Sequence, residues 1–127
     1  MLIAVIAHFV IAGWHGATHQ MVPVPLSTMQ TAFVAIVIVI LPLVGAAMSF
    51  SRWQLQGAAV VFASMLASAI FGLVYHFIVM SPDNIWHVPQ SSWSSMFVSS
   101  AVLVLASELF GTVCGALSLR RLLKARA

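Results

Sequence analysis

Residues 31–48, TAFVAIVIVILPLVGAAM, form an apolar run that contains no charged side chain. A helix needs roughly 20 mainly apolar residues to cross the hydrocarbon core of a bilayer. Extended to its polar flanks, this run covers about residues 27–49 and meets that requirement. Three further stretches also meet it, at about 1–20, 54–80 and 93–119. The sequence therefore predicts four membrane-spanning helices.

The overall composition supports the same class of protein. The chain has 127 residues, of which 62% are hydrophobic and only 6% are charged. A soluble domain of this size carries roughly a quarter charged residues, so there is too little polar side chain here to cover a surface in water. Helix-length apolar runs also differ from the alternating pattern of a membrane β-barrel. We expect an all-α integral membrane protein, a single domain over 1–127 with an up-down bundle of four helices.

The basic residues predict the orientation of this bundle. Arg52 lies in the second connection, and the remaining four form a tail at 120–127, namely Arg120, Arg121, Lys124 and Arg126. Because cytoplasmic loops carry an excess of Lys and Arg, we expect both termini in the cytoplasm and the first and third connections outside the inner membrane. A juxtamembrane tail of this kind suits anionic lipid rather than nucleic acid. The first span lacks the basic start of a signal peptide, so we expect it to be retained.

Local sequence features mark how the helices begin and bend. Ser27 and Gln30 have the spacing of a capping box, which satisfies free N–H groups at a helix start. Ser92 is a candidate N-cap for the fourth helix. Pro42 lies within the second span, where it should kink the helix and free the carbonyl four residues earlier.

Small residues recur every four positions in the last two spans. Because lipid supplies little hydrophobic drive between helices, close backbone approach through small side chains has to hold such a bundle together. These ridges predict a compact interface, with a further face for larger membrane subunits or a second copy of the chain. Their members are Ser64, Ser68 and Gly72 in the third span, and Ser107, Gly111 and Gly115 in the fourth.

The first span, by contrast, carries three histidines within AHFVIAGWHGATHQ, residues 7–20. His8, His15 and His19 are spaced by seven and four residues, which places them within about 40° of one another around a helix. Three imidazoles on one stripe should not face lipid. We expect the stripe to point into the bundle or toward a partner.

Two of these histidines lie close to the outer surface, where other metal-binding residue types converge. His15 and His19 can reach one ion from successive turns of a helix, and His76 lies near the outer end of the third span. His87 and Asp83, in the loop that follows, could complete the ligand set, or Asp83 could orient an imidazole. The sequence therefore predicts a metal site from these five residues.

Two cofactors suit these ligand types. Imidazole binds copper, zinc, iron and nickel, and thioethers favour Cu(I), so methionines near the outer boundary make copper the first candidate. They are Met21, Met29, Met80 and Met96. The alternative is haem b, held by His15 and His76 from opposite sides of a porphyrin. Room for a porphyrin could come from nearby glycines, at Gly13, Gly16 and Gly72. Ordinary hydrogen bonding of the histidines, without a cofactor, remains a further alternative.

Glu108 is the one acid within a predicted span. It shares a helix face with Gly111 and Gly115, so it should point inward. His8 lies at a comparable depth. We expect Glu108 and His8 to form an internal polar pair, which could serve as a proton path.

These residues favour one function among three. The chain contains no P-loop, GxGxxG, HExxH or nucleophile-elbow motif. We expect a small accessory subunit or assembly factor of a membrane redox complex, with a metal ion or haem bound at the outer side. The first alternative is a purely structural four-helix subunit without a cofactor. The second is a membrane enzyme that acts on a lipid-soluble substrate.

Overall fold

The computed structural model describes residues 1–126, and within them it contains helices and connecting loops but no strand. Four helices are long and apolar enough to span a membrane, as the sequence predicts. They are α1 at Leu2–Met21, α2 at Thr28–Met48, α3 at Gln54–Ile78 and α4 at Ser94–Lys124.

Successive helices run in opposite directions. Contacts between α3 and α4 pair Phe62 with Gly115 and Gly72 with Glu108, so the residue numbers rise on one helix as they fall on the other. Contacts between α1 and α4 do the same, since His8 reaches Ser107 and His15 reaches Ser100. The bundle therefore has two ends. We call the end where α1 and α3 finish the histidine end, and the end where they begin the arginine end.

Close backbone packing holds the arginine end together. Gly45 of α2 faces Gly57 of α3 so closely that a Cβ atom at Gly57 would lie 2.6 Å from the Gly45 carbonyl oxygen. All six residues of the small-residue ridges of α3 and α4 are buried, and Gly111 and Gly115 of α4 lie against Met65 and Phe62 of α3. A hydrophobic cluster adjoins this contact and comprises Val5, Ala46, Val61 and Met65. Small side chains thus allow the close approach that stabilises helix pairs in lipid.

The helix ends follow the predicted chemistry only in part. The capping box of α2 is confirmed, because the Ser27 hydroxyl accepts from the Gln30 N–H and the Gln30 side chain accepts from the Ser27 N–H. The prediction for Ser92 is wrong. Helix α4 begins at Ser94, after Trp93, and no side chain caps it. Instead, the Ser94 hydroxyl folds back onto the loop and donates to the Pro89 carbonyl.

Two segments of the membrane-spanning helices are π-helical. One covers Val34–Ile40 in α2, directly before Pro42, and the other covers Val74–Ile78 at the end of α3. A π-helix turns more slowly than an α-helix and often marks a functional site. Here the second segment carries His76.

Candidate metal centre

Three imidazole rings meet at the histidine end of the bundle. His15 and His19 come from successive turns of α1, and His76 comes from the π-helical end of α3. The Nε2 atom of His15 lies 3.1 Å from Nε2 of His76 and 3.2 Å from Nε2 of His19. One ring nitrogen from each residue lies within 4.8 Å of the other two, so the three could hold one metal ion.

Backbone carbonyls fix the ring nitrogens of two of these histidines. Nδ1 of His76 lies 3.0 Å from the Asp83 carbonyl oxygen, and Nδ1 of His19 lies 3.2 Å from the Val24 carbonyl oxygen. A carbonyl oxygen can only accept a hydrogen bond, so each Nδ1 must carry the proton. In a neutral imidazole the other nitrogen, Nε2, then has a free lone pair.

A serine hydroxyl assigns the third ring in the same way. Nδ1 of His15 lies 2.8 Å from the Ser100 hydroxyl oxygen. That hydroxyl also lies 2.9 Å from the Phe97 carbonyl oxygen, and when it donates its one proton there it accepts from Nδ1 of His15. Nε2 of His15 is thereby left with a lone pair as well. If the proton of His15 were on Nε2 instead, that N–H group could donate to Nε2 of only one neighbouring histidine. The lone pair on Nε2 of the other histidine would then have no donor of its own.

With the protons placed in this way, the Nε2 lone pairs of His19 and His76 both face Nε2 of His15. Such an arrangement is unfavourable unless a cation occupies the centre, and imidazole ligands are usually oriented by a hydrogen bond at the second ring nitrogen. A tetrahedral ion with metal–nitrogen distances of about 2.0–2.1 Å separates its ligand atoms by about 3.3–3.4 Å. The separations of 3.1 and 3.2 Å are within a few tenths of an ångström of that value.

Asp83 adds a buried negative charge beside this point. Its side chain is 7% exposed, with Oδ1 lying 3.1 Å from Nδ1 of His76 and 3.6 Å from Nε2 of His19. Neither carboxylate oxygen accepts a hydrogen bond from any residue in 1–126. A buried carboxylate without a partner is costly, and a nearby cation would offset that cost. Asp83 is thus placed to balance the charge of an ion or to become a further ligand.

The loop after α3 folds back over its own helix to hold Asp83 there. The Ile85 N–H donates to the His76 carbonyl at 3.0 Å. Asn84, which is 2% exposed, donates its side-chain amide to the Val79 carbonyl and accepts from the Trp86 N–H. These bonds close the loop against the helix end. Sequence reasoning missed Asn84, although a polar pair directly after Pro82 is typical of a turn.

Phe97 forms an apolar wall on one side of the three rings. The ring is fully buried, and its centroid lies 5.2 Å from that of His15, 5.0 Å from His19 and 6.0 Å from His76. Phe97 shields one side of the three rings from water. The rings also line the neighbouring cavity, so the cluster is accessible from that side. The sequence did not single out Phe97, because nothing in α4 alone shows that it faces α1.

The structure does not bring His87 into this group. His87 is exposed in the loop, and its Nδ1 atom lies 3.4 Å from the Asn84 side-chain oxygen. The loop turns outward after Asn84, which carries His87 away from the three rings. The methionines near this boundary also remain outside, because no methionine in the described part of the chain lines the cavity beside the cluster.

The expected pair between His8 and Glu108 does not form in the structure. His8 is instead bonded through Nε2 to the Ile38 carbonyl at 3.1 Å and through Nδ1 to the Ser107 hydroxyl at 3.0 Å. Neighbouring residues on a helix point about 100° apart, so Ser107 faces α1 while Glu108 faces Gly72 of α3. The Ile38 carbonyl is the one that Pro42, four residues later, cannot bond.

A cavity of about 700 Å³ connects the histidine cluster to Glu108. A Cβ atom at Gly72 would lie 3.1 Å from Oε2 of Glu108 and 3.9 Å from Cδ2 of His76. The absent side chain of Gly72 therefore makes room for the Glu108 carboxyl group to pack against α3. Of the other glycines considered for cofactor space, Gly16 lines the cavity, whereas Gly13 does not.

The distance between rings is unfavourable for a porphyrin. Two axial imidazoles on one haem iron would place their Nε2 atoms about 4 Å apart, on opposite faces of the ring. Nε2 of His15 and Nε2 of His76 are 3.1 Å apart and adjoin a third imidazole. The arrangement suits a single ion held by three nitrogens.

No protein-family model, curated protein or solved structure matches this chain. Neither a family nor a relative therefore supplies a function. The chemistry of the converging side chains is the basis for the proposals that follow.

Proposed function

We propose that this chain is a membrane-embedded metal-binding protein that holds one copper ion through Nε2 of His15, His19 and His76. The observation that carries the proposal is that Nε2 of His15 lies 3.1 Å from Nε2 of His76 and 3.2 Å from Nε2 of His19, with one ring nitrogen of each residue within 4.8 Å of the other two. Their Nδ1 atoms are all committed to acceptors elsewhere. The unpartnered carboxylate of Asp83 supports a cationic occupant at the same place.

The choice of copper follows from the donor set. Three neutral imidazoles without a thiolate suit copper, zinc or nickel rather than magnesium or calcium. Affinities for such a site rise along the first-row metals to Cu(II) and fall again at zinc. The methionines do not contribute, since none lines the cavity, so the copper assignment rests on the imidazoles alone.

The size of the chain favours an auxiliary role. With three ligands on two helices and an open side toward the cavity, the site could accept an ion and release it. We propose an accessory subunit or assembly factor of a membrane redox complex, inserted with both termini in the cytoplasm and the copper site near the outer face. Exposed apolar side chains along the helices would contact lipid or larger membrane subunits.

Metal titration of the purified protein tests this proposal. The protein in detergent is stripped with a chelator and titrated separately with Cu(II) and Zn(II), and the bound metal is measured after desalting. We expect one copper ion per chain, with nitrogen couplings from imidazole in the electron paramagnetic resonance spectrum. The double variant H15A/H76A should lose this copper.

The matched control is H87A, because His87 is a nearby histidine outside the cluster. It should bind copper as the unaltered chain does. Equal binding by the unaltered chain and H15A/H76A would overturn the metal proposal. That result, with larger subunits copurifying, would select the purely structural four-helix subunit instead.

A further inference from the structure

Glu108 is a buried acid that no contact within the protein explains. Its side chain is fully buried, and neither carboxyl oxygen has a hydrogen-bond partner among residues 1–126. It lines the same cavity as the histidine cluster. An unpartnered buried carboxyl group loses the hydrogen bonds that it would make in water, so a partner inside the cavity would stabilise it.

The protein offers no alternative partner at this depth. His8, the nearest candidate by sequence, is committed to Ser107 and Ile38. The basic side chains lie far along the chain, at Arg52 and in the tail that begins at Arg120. The cavity that Glu108 adjoins is the route by which a donor would reach it, and since both oxygens are buried, the carboxyl group would turn toward the cavity to accept the bond.

The walls of the cavity restrict what can enter. Most of the lining is hydrocarbon from all four helices, including Val34, Ile38, Val39, Phe71 and Val104. These helices are apolar enough to lie in a membrane. A volume of about 700 Å³ is in the range of small-molecule sites. An apolar cavity of this size favours a lipid-soluble molecule over water, which needs several polar partners.

We propose that this cavity binds a lipid-soluble phenol or hydroquinone, whose hydroxyl group donates a hydrogen bond to the carboxyl group of Glu108. The aromatic ring lies against the apolar walls of the cavity. This inference goes beyond the metal site, because the contact with Glu108 does not require an ion.

A neutral hydroxyl fits better than an amine. A molecule that arrives through the bilayer as an ammonium ion must lose its hydration, whereas a phenol enters uncharged. A carboxyl group presents an acceptor oxygen in either protonation state, so it can receive the phenolic proton in a hydrogen bond in both. The ligand class therefore follows from the acceptor oxygens of Glu108 beside the apolar part of the lining, away from the polar groups of the histidine cluster.

Binding of 4-hexylphenol to the metal-free protein in detergent tests the inference. The comparison ligand is 4-hexylanisole, which has the same ring and chain but no hydroxyl donor. Isothermal titration should show that the phenol binds roughly tenfold more tightly than the anisole, the effect expected for one additional hydrogen bond. Equal affinities would overturn the proposal and leave only a nonspecific apolar cavity.

Two pairs of variants assign the effect to this position. E108L should remove the preference for the phenol, whereas E108Q, which keeps a carbonyl acceptor, should retain part of it. G72A adds a methyl group 3.1 Å from Oε2 of Glu108 and should weaken phenol binding. G13A is its matched control, because a Cβ atom there meets nothing within 4 Å. A preference that persists in E108L would overturn the assignment to Glu108.

The outcome is distinguishable from that of the copper experiment. A phenol preference in a protein that binds no copper would overturn the metal proposal alone. Copper binding by a protein that does not distinguish phenol from anisole would overturn this inference alone. Thermal unfolding of E108L and G72A shows whether each variant still folds, and a folded E108L without the preference supports the proposal.

Discussion

The two ends of the bundle use opposite means to bring helices together. At the arginine end, Gly45 and Gly57 let two backbones touch, and Gly115 lets α4 approach the backbone of Phe62. At the histidine end, side-chain hydrogen bonds join the helices, as His15 does with Ser100. There the helices also leave a cavity between them. One end is close-packed, and the other is polar and open.

This difference separates the source of stability from the source of chemistry. Close packing through small residues supplies the attraction that helices need in lipid, where hydrophobic burial contributes little. Buried polar groups and cavities reduce stability, so they persist where they serve another purpose. The close-packed end can thus hold the histidine rings in position while the open end binds a ligand.

Adding a methyl group at the close-packed end should have the largest effect. In G57A the new Cβ atom would meet the Gly45 carbonyl oxygen at 2.6 Å and Cβ of Met48 at 2.9 Å. Neither atom is the free end of a flexible side chain, so the helices must separate. We expect the free energy of unfolding to fall by about 3 kcal/mol. Thermal or denaturant unfolding in detergent measures it.

The control for G57A is the same substitution in α1. A Cβ atom at Gly13 meets no other residue within 4 Å, so G13A should leave the free energy of unfolding nearly unchanged. Equal destabilisation by G57A and G13A would show that helix packing at the arginine end does not dominate the stability of the bundle.

Copper binding at the open end should have the next largest effect on the free energy of unfolding. An ion that binds only the folded state adds about 2.7 kcal/mol when its free concentration is 100 times the dissociation constant. We expect this gain in the unaltered chain and its loss in H15A, with melting temperature as the measurement. A gain of the same size in H15A would mean that copper acts elsewhere on the protein.

The sequence predicted the helical architecture because hydropathy depends on local composition. The four helices follow directly from four apolar runs, and this prediction is confirmed. The end of the last helix is different. The predicted span ends near position 119, yet α4 continues to Lys124. Arg, Leu and Lys are good helix formers, so the helix extends past the apolar segment into the tail.

The sequence predicted those parts of the candidate site that depend only on positions along single helices. The stripe of His15 and His19 follows from their spacing, and the contact with His76 follows from equal depth. The acceptors that fix each ring, such as Ser100 and the Val24 carbonyl, depend on how different segments pack, which spacing does not encode. The contact of His8 with Ser107 rather than Glu108 depends on helix rotation for the same reason.

Neutralising Asp83 tests the electrostatic part of the open end. D83N keeps the shape of the side chain and removes a buried charge that lies 3.1 Å from Nδ1 of His76. Because D83N keeps the main-chain carbonyl that orients His76 and removes only the balancing charge, we expect copper affinity to fall roughly 10-fold, or about 1.4 kcal/mol. Competition with a chelator of known affinity measures the change. An unchanged copper affinity in D83N would remove Asp83 from the site.

The smallest effect concerns the boundary between the two ends, where His8 bonds to the Ile38 carbonyl. H8F keeps a ring of similar size but removes the buried hydrogen bonds to that carbonyl and to the Ser107 hydroxyl, so it should lower the free energy of unfolding by about 1 kcal/mol. P42A restores a backbone N–H that an α-helical turn would direct to the same carbonyl. The two substitutions should therefore be non-additive, with H8F costing less in the P42A background. Strict additivity in this double-mutant cycle would show that His8 does not compensate for Pro42.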